Sequence, residues 1–208
     1  MDMMLMRRFA MLQQSQGGCG LPDAYQQVEW IASTTNTGQY IDTGVAVTSD
    51  IHIKARWMFT AVANYQAVYG AKGAVFDLQR YVRQSYLVVD TLGASTRITQ
   101  FSGIENLLID SEQSMSDVVL NGTSYAISAG TTEPSGTIWL FGKEKSTGGA
   151  IDVKGACRIY SAQILYGSTL QRNFIPCYRK SDNVIGMYDT VTNTFYTNAG
   201  TGTFAIPT

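Results

Sequence analysis

"SDVVLNGTSYAI", residues 116 to 127, decides how the rest of the chain is read. Apolar and polar residues alternate on both sides of Asn121-Gly122, and a period of two is that of a strand with one buried face. Both residues of the dipeptide tolerate the positive φ of a type I′ turn, so the segment is expected to form a tight β-hairpin. Asn121-Gly122-Thr123 is also a glycosylation sequon, but the turn is the better account of it.

The same pattern extends outward from this hairpin. Upstream lie "QVEWIAS", "QYIDTG", "IHIKARWMF", "AVYGAKGAVFDL", "SYLVVD", "STRITQF" and "NLLIDS"; downstream lie "TIWLFG", "CRIYSAQILYG", "RNFIPCYR" and "VIGMYD". Val, Ile, Tyr, Phe, Trp and Thr fill these runs, and Gly, Asn, Asp and Ser separate them. Short strands with no helical period between them predict an all-β, antiparallel two-sheet sandwich or jelly roll over residues 21–208. The last stretch, "VIGMYDTVTNTFYTNAGTGTF" (184–204), turns at "TVTN" and runs through "NAGTG" to Phe204. It is expected to be a hairpin that closes the sheet and covers its core.

Residues 1–20 read differently. "MMLMRRFAMLQQSQ" (3–16) is rich in helix formers and has no Gly or Pro, with Asp2 as N-cap, and "GGCG" ends it. Leu5, Phe9 and Leu12 share a narrow helical stripe. So short a helix is marginal alone in water, and its apolar stripe needs a surface to bury against. The expectation is an anchor helix docking on another subunit. Folding back on its own sandwich and lying on a membrane surface are the alternatives, the latter with only Arg7 and Arg8 as basic residues.

Composition limits what the chain is for. Its 208 residues, 45% hydrophobic, suffice for one substantial core, and burial of roughly 70% of the unfolded surface is expected at this size. Charged residues make up 15% and the formal net charge is -1, which leaves no electrostatic footprint for nucleic acid or anionic membranes. Cys19, Cys157 and Cys177 are too few and too scattered for a disulfide framework or a zinc site, and inert thiols are expected, a Cys157–Cys177 bridge being the alternative. No apolar run approaches a membrane span. "MDMMLMRRFAML" places its arginines inside the apolar run, so it is a poor secretory signal, and use without export by that route is expected.

"VVLNGTSYAI", "TIWLFGKEK" and "GACRIYSAQIL" together resemble the later half of a laminin-G-like, concanavalin A-like lectin domain. "LPDAYQQVEWIASTTNTGQYIDTGV" and "RNFIPCYRKSDNVIGMYDTVTNTFYTNAGTGTF" are similar to a laminin-G-like variety common in proteins of gut bacteria and their phages. The resemblance runs from about Leu21 to Phe204 and implies a concanavalin A-like jelly roll. It implies less about function, because that superfamily holds lectins, glycosidases and structural modules.

Enzymatic readings find little support in the residues. Glucanases of this superfamily carry a Glu-x-Asp-x-(x)-Glu arrangement on one strand face. Here "LLIDSE" places Asp110 and Glu112 on a common face, but Leu108 stands where the first carboxylate belongs, so solvated edge charges are expected. "GKEKSTGG" has neither the spacing nor the following helix of a phosphate loop and is expected to be a plain loop. His52, the single histidine, sits in an alternating strand with no nucleophile motif. No Asp/Asn cluster suggests calcium, so no catalytic residue, metal site or cofactor is assigned.

Binding is harder to set aside. The chain has 12 Tyr, 8 Phe and 3 Trp, and carbohydrate recognition uses aromatic faces with amides or carboxylates. Trp30, Trp57 and Trp139 all lie in strand patterns, so core or sheet-face positions are expected, and no ligand-binding residue is singled out. An anchor helix joined to a lectin-like sandwich suits a phage virion structural protein of fibre or decoration type. Such a protein would be homo-oligomeric, held to other virion proteins through Leu5, Phe9 and Leu12, and would display a domain toward bacterial surface glycan. The alternatives are a bacterial glycan-binding lectin, at the cell surface or secreted, and an inactive glycosidase-like module.

Overall fold

The computed structural model describes residues 20–34, 38–61, 66–81, 86–99, 105–149 and 151–207. The anchor stripe Leu5, Phe9 and Leu12, with the helix that would carry it, lies outside the described residues.

Among the described residues 18 strands form and no helix does. In chain order the first are β1 (Tyr25–Gln27), β2 (Ile31–Ala32), β3 (Ile41–Ala46), β4 (Ile51–Phe59), β5 (Gln66–Gly70) and β6 (Phe76–Tyr81). Then come β7 (Tyr86–Thr91), β8 (Ala94–Ile98), β9 (Ile109–Gln113), β10 (Asp117–Leu120), β11 (Thr123–Ala126) and β12 (Thr137–Leu140). The last six are β13 (Gly142–Glu144), β14 (Ile151–Lys154), β15 (Cys157–Tyr166), β16 (Thr169–Arg179), β17 (Ile185–Asp189) and β18 (Thr194–Thr197).

They form two large antiparallel sheets. A 10-stranded sheet runs β11-β10-β9-β4-β15-β16-β17-β18, with β1 added to β16 and β2 to β15, and a 6-stranded sheet runs β3-β12-β5-β6-β7-β8. A two-stranded ribbon, β13-β14, is a third sheet, and its Lys143 reaches Asp77 of β6.

Alternation sets the faces. In β4, Ile51, Ile53, Ala55, Trp57 and Phe59 are buried while His52, Lys54 and Arg56 face outward. In β3, Ile41, Thr43 and Val45 are buried and the residues between them exposed. The inward residues of both sheets make one continuous core that includes Tyr69, Phe76, Ile109, Leu140, Phe174 and Met187. Two hydrogen bonds between side chains cross this interior. Tyr69 of β5 donates its hydroxyl to Gln113 Oε1 of β9 at 3.0 Å, joining the sheets, and Trp57 Nε1 donates to Ser111 Oγ at 2.9 Å. Such pairing is what makes buried polar groups tolerable in an apolar interior.

The expected hairpin is present in the expected register. Leu120 faces Thr123 across Asn121 (φ 48) and Gly122 (φ 84), as a type I′ turn requires. Two readings need correction. "QVEWIAS" is not one strand: β1 pairs with β16 and β2 with β15, so the chain crosses between neighbouring strands at Trp30. "GKEKSTGG" is not all loop either. Phe141 takes φ 69 at the end of β12, and the chain re-enters extended structure as β13, which buries Lys143.

Candidate functional site

The aromatic side chains differ in what already occupies their faces. Trp57 is fully buried in the core. Trp30, half-buried, has the Arg158 guanidinium 4.0 Å above its ring. Tyr25 packs against both Tyr188 and Phe195 at 4.9 Å, and Arg179 lies 5.6 Å over Phe195. Trp139 and Tyr40 are arranged differently: their rings stack at 3.9 Å, 9° from parallel, with Trp139 buried beneath and Tyr40 half-buried above it. A stacked pair of this kind sets a half-buried ring on a buried aromatic base.

The register of the 6-stranded sheet explains what surrounds this pair. Asp42 of β3 is opposite Trp139 of β12, Trp139 is opposite Gly70 of β5, and Gly70 is opposite Asp77 of β6. Asp77 is opposite Asp90 of β7, which is opposite Ser95 of β8. Directly paired residues of antiparallel strands share a face, so this row runs across the side of the sheet turned away from the core. At one end Asp42 is exposed, with its Oδ1 accepting from Thr137 Oγ1 at 2.8 Å and from the Gly44 N–H at 3.0 Å. Toward the middle, Asp77 and Asp90 are buried with Lys143 of the ribbon.

The ribbon also carries Glu144 to the aromatic end. Burial, and then the charges of Asp42 and Glu144, hold the Tyr40 hydroxyl above its ordinary pKa, so both carboxylates act on this one phenol. Glu144 Oε1 accepts from the Gly149 N–H at 2.7 Å, and Lys72 packs on Gly136 and reaches toward Gly148. The result is an aromatic shelf edged by two carboxylates, a threonine and a lysine. Chemically it can stack on an apolar ring face while accepting hydrogen bonds from hydroxyls beside that face.

The carboxy-terminal segment holds the shelf in place. Asn198 Oδ1 accepts from the Tyr40 N–H at 3.1 Å, and the Ala199 N–H donates to Tyr40 O at 2.9 Å. The Thr201 N–H donates to Gly38 O at 3.2 Å, and Gln39 Nε2 donates to Thr203 O. Gly200 lies so close to this segment that a Cβ would stand 1.7 Å from Gly38 O, which only glycine avoids. The closing hairpin therefore does more than cap a sheet. β18 is the edge strand of the 10-stranded sheet, Phe204 is buried against Phe141 at 4.8 Å, and "NAGTG" between them clamps the residues that carry Tyr40.

Asp110 and Glu112 do share an outward face, but β9 lies between β10 and β4, so they stand on the open face of the sheet and not at its edge. Glu112 Oε1 is 3.1 Å from Lys54 Nζ, and Asp110 Oδ1 is 3.8 Å from Arg56 Nε. His52 is on the outer face of β4, as its alternation implies. Cys157 and Cys177 are buried and unbridged, with burial pushing each thiol up to about 12. Among the described residues no group of three or more His, Cys, Asp or Glu is placed to hold a metal ion, and no helix is long and apolar enough to cross a membrane. Sequence reasoning missed Tyr40, Asp42 and Glu144 as a group. Trp139 in a strand pattern was the available signal, but nothing local shows which loop covers it.

No family model matches the chain, and no curated protein matches it. Among solved structures it is similar to a protein of Bacteroides ovatus described as a "putative carbohydrate binding protein", with a TM-score of 0.61 and 13% sequence identity. The match covers 88% of this chain and 60% of the other, so this chain spans little more than half of that protein's length. At that identity the likeness concerns the fold.

Proposed function

We propose that this chain is a carbohydrate-binding β-sandwich module, with the Tyr40–Trp139 shelf as its sugar site. The observation that carries the reading is the stack at 3.9 Å, with Asp42 and Glu144 both acting on the Tyr40 hydroxyl. Sugars offer an apolar C–H face for the ring and hydroxyl donors for the carboxylates, and a site of this kind needs no net charge on the ligand. The likeness in fold to the Bacteroides ovatus protein supports the same class of ligand. The finer assignment, a concanavalin A-like jelly roll of laminin-G type, rests on that likeness together with the sequence motifs. No catalytic role is assigned: Asp110 and Glu112 are each beside a cation of the neighbouring strand β4, in the 10-stranded sheet and not in the one that carries the shelf.

The test is a glycan array followed by titration of the best hits. Tyr40→Ala is expected to weaken binding about tenfold or more, the effect of losing roughly 1.5 kcal/mol. Trp30→Ala, whose ring face Arg158 already occupies, is expected to leave affinity within about twofold. Undiminished binding by Tyr40→Ala in a folded protein would remove the shelf from consideration. A virion role is a separate proposal, resting on residues 1–20 and tested by their removal.

A further inference from the structure

Beneath the β13-β14 ribbon, Lys143 Nζ lies 2.7 Å from Asp77 Oδ2 and 3.7 Å from Asp90 Oδ2, and all three residues are buried. We propose that Lys143 and Asp77 form an intramolecular isopeptide bond, with Asp90 as the proton carrier. A buried ion pair is the ordinary reading of such a contact, and three observations favour more.

The first is charge. Two carboxyl groups face one amine out of water, which is costly unless one carboxyl stays protonated. Burial raises the Asp77 pKa well above the carboxylate range; Lys143 opposes this, while the charge of Asp90 and a hydrogen bond shared with it add to it. Asp77 is therefore the carboxyl group whose protonated form burial favours. The second is that Lys143 Nζ meets only Oδ2 of Asp77, while the buried Oδ1 accepts from no N–H or O–H donor. The third is close approach. Gly70 stands opposite Asp77, and a Cβ there would lie 2.7 Å from both Asp77 Cβ and Lys143 Cβ, so the missing side chain lets the two stems converge. Ser95 Oγ donates to Asp90 Oδ1 at 2.5 Å and holds the carrier in place.

The step balances without an outside reagent. The Lys143 ammonium gives a proton to Asp90, which leaves three neutral groups in a dry site, the favoured state at low dielectric. The amine attacks Cγ of Asp77, forming the C–N bond. Asp90 protonates the departing hydroxyl as the C–O bond breaks, and water leaves. The surplus proton on nitrogen passes to Asp90, which ends as a neutral acid. Holding the reacting atoms in contact supplies the effective molarity that free amine and acid lack.

Intact mass of the full-length chain is the direct test. The expected mass is one water below that of the sequence, and a protease digest should yield a branched peptide joining Lys143 to Asp77. Lys143→Arg and Asp90→Asn should each restore the full mass and the separate peptides, with circular dichroism checking that the β signal is kept. A wild-type chain at its full mass with unlinked peptides would overturn the proposal, and no variant has to fold for that result to count. Water loss that persists in Lys143→Arg, or that maps to another residue, would overturn it equally.

Discussion

Gly200 shows how far one absent Cβ reaches. Its contact with Gly38 O sets the backbone of residues 38–40, and those residues carry Tyr40 onto Trp139. Gly200→Ala is therefore expected to cost about 1 to 3 kcal/mol by overpacking. It should also weaken sugar binding, because the added Cβ would stand 3.0 Å from Tyr40 Cδ1 as well as against Gly38 O. A melting temperature and an affinity both equal to wild type would show that the clamp does not position Tyr40. The thiols make a second point at this scale. Because burial raises the pKa of Cys157 and Cys177 to about 12, the reactive thiolate is scarce in the native state at any lower pH. Alkylation under native, mildly alkaline conditions should leave both unmodified, and full modification is expected once the chain is denatured. Rapid labelling of either in the folded protein would contradict the burial described above.

Elements that are specified locally were legible, and those specified by long-range contacts were not. Asn121-Gly122 announces its turn because positive φ is a property of those two residues, and the β10-β11 register follows from it. β13 was hidden: nothing in "GKE" is strand-like, and its extended form depends on Phe141 turning the chain and on β14 pairing with it. The same blindness covered the candidate site, since Tyr40, Asp42, Trp139 and Glu144 come from β3, β12, β13 and the segment before β3. Asp189 illustrates the intermediate case. The sequence marks a turn at "TVTN", but only the structure shows this fully buried carboxylate accepting from the Asn173, Val191 and Thr192 N–H groups and from Thr192 Oγ1, with Arg172 Nε 3.5 Å away. Removing it would leave several donors unmatched at the end of β17. Asp189→Ala is expected to destabilise the fold by about 2 to 4 kcal/mol, read as a lowered urea midpoint with an unchanged m-value. A midpoint within experimental error of wild type would show that the turn is held by its backbone alone.

At the scale of the whole molecule, the question is whether residues 1–18 belong to the sandwich or to what the sandwich is attached to. The core cluster draws on residues from Ile31 to Phe204, both sheets are closed by pairings among strands that begin at Tyr25, and Tyr69 ties one sheet to the other. Each inward Ile, Phe or Trp of that cluster contributes roughly 1.5 to 3 kcal/mol on burial. If Leu5, Phe9 and Leu12 dock on another subunit, deletion of residues 1–18 should leave the melting temperature within about 2 °C of the full chain. The same truncation should abolish oligomerisation or co-sedimentation with particles while glycan binding persists, because the shelf and its clamp lie entirely within residues 38–203. If instead the stripe packs on its own domain, losing it should cost a few kcal/mol, and each kcal/mol lowers the melting temperature of a domain this size by about 2 to 4 °C. Thermal melting and sedimentation on one truncated protein separate the two: lowered stability with attachment retained rejects the anchor, and unchanged stability with attachment lost supports it.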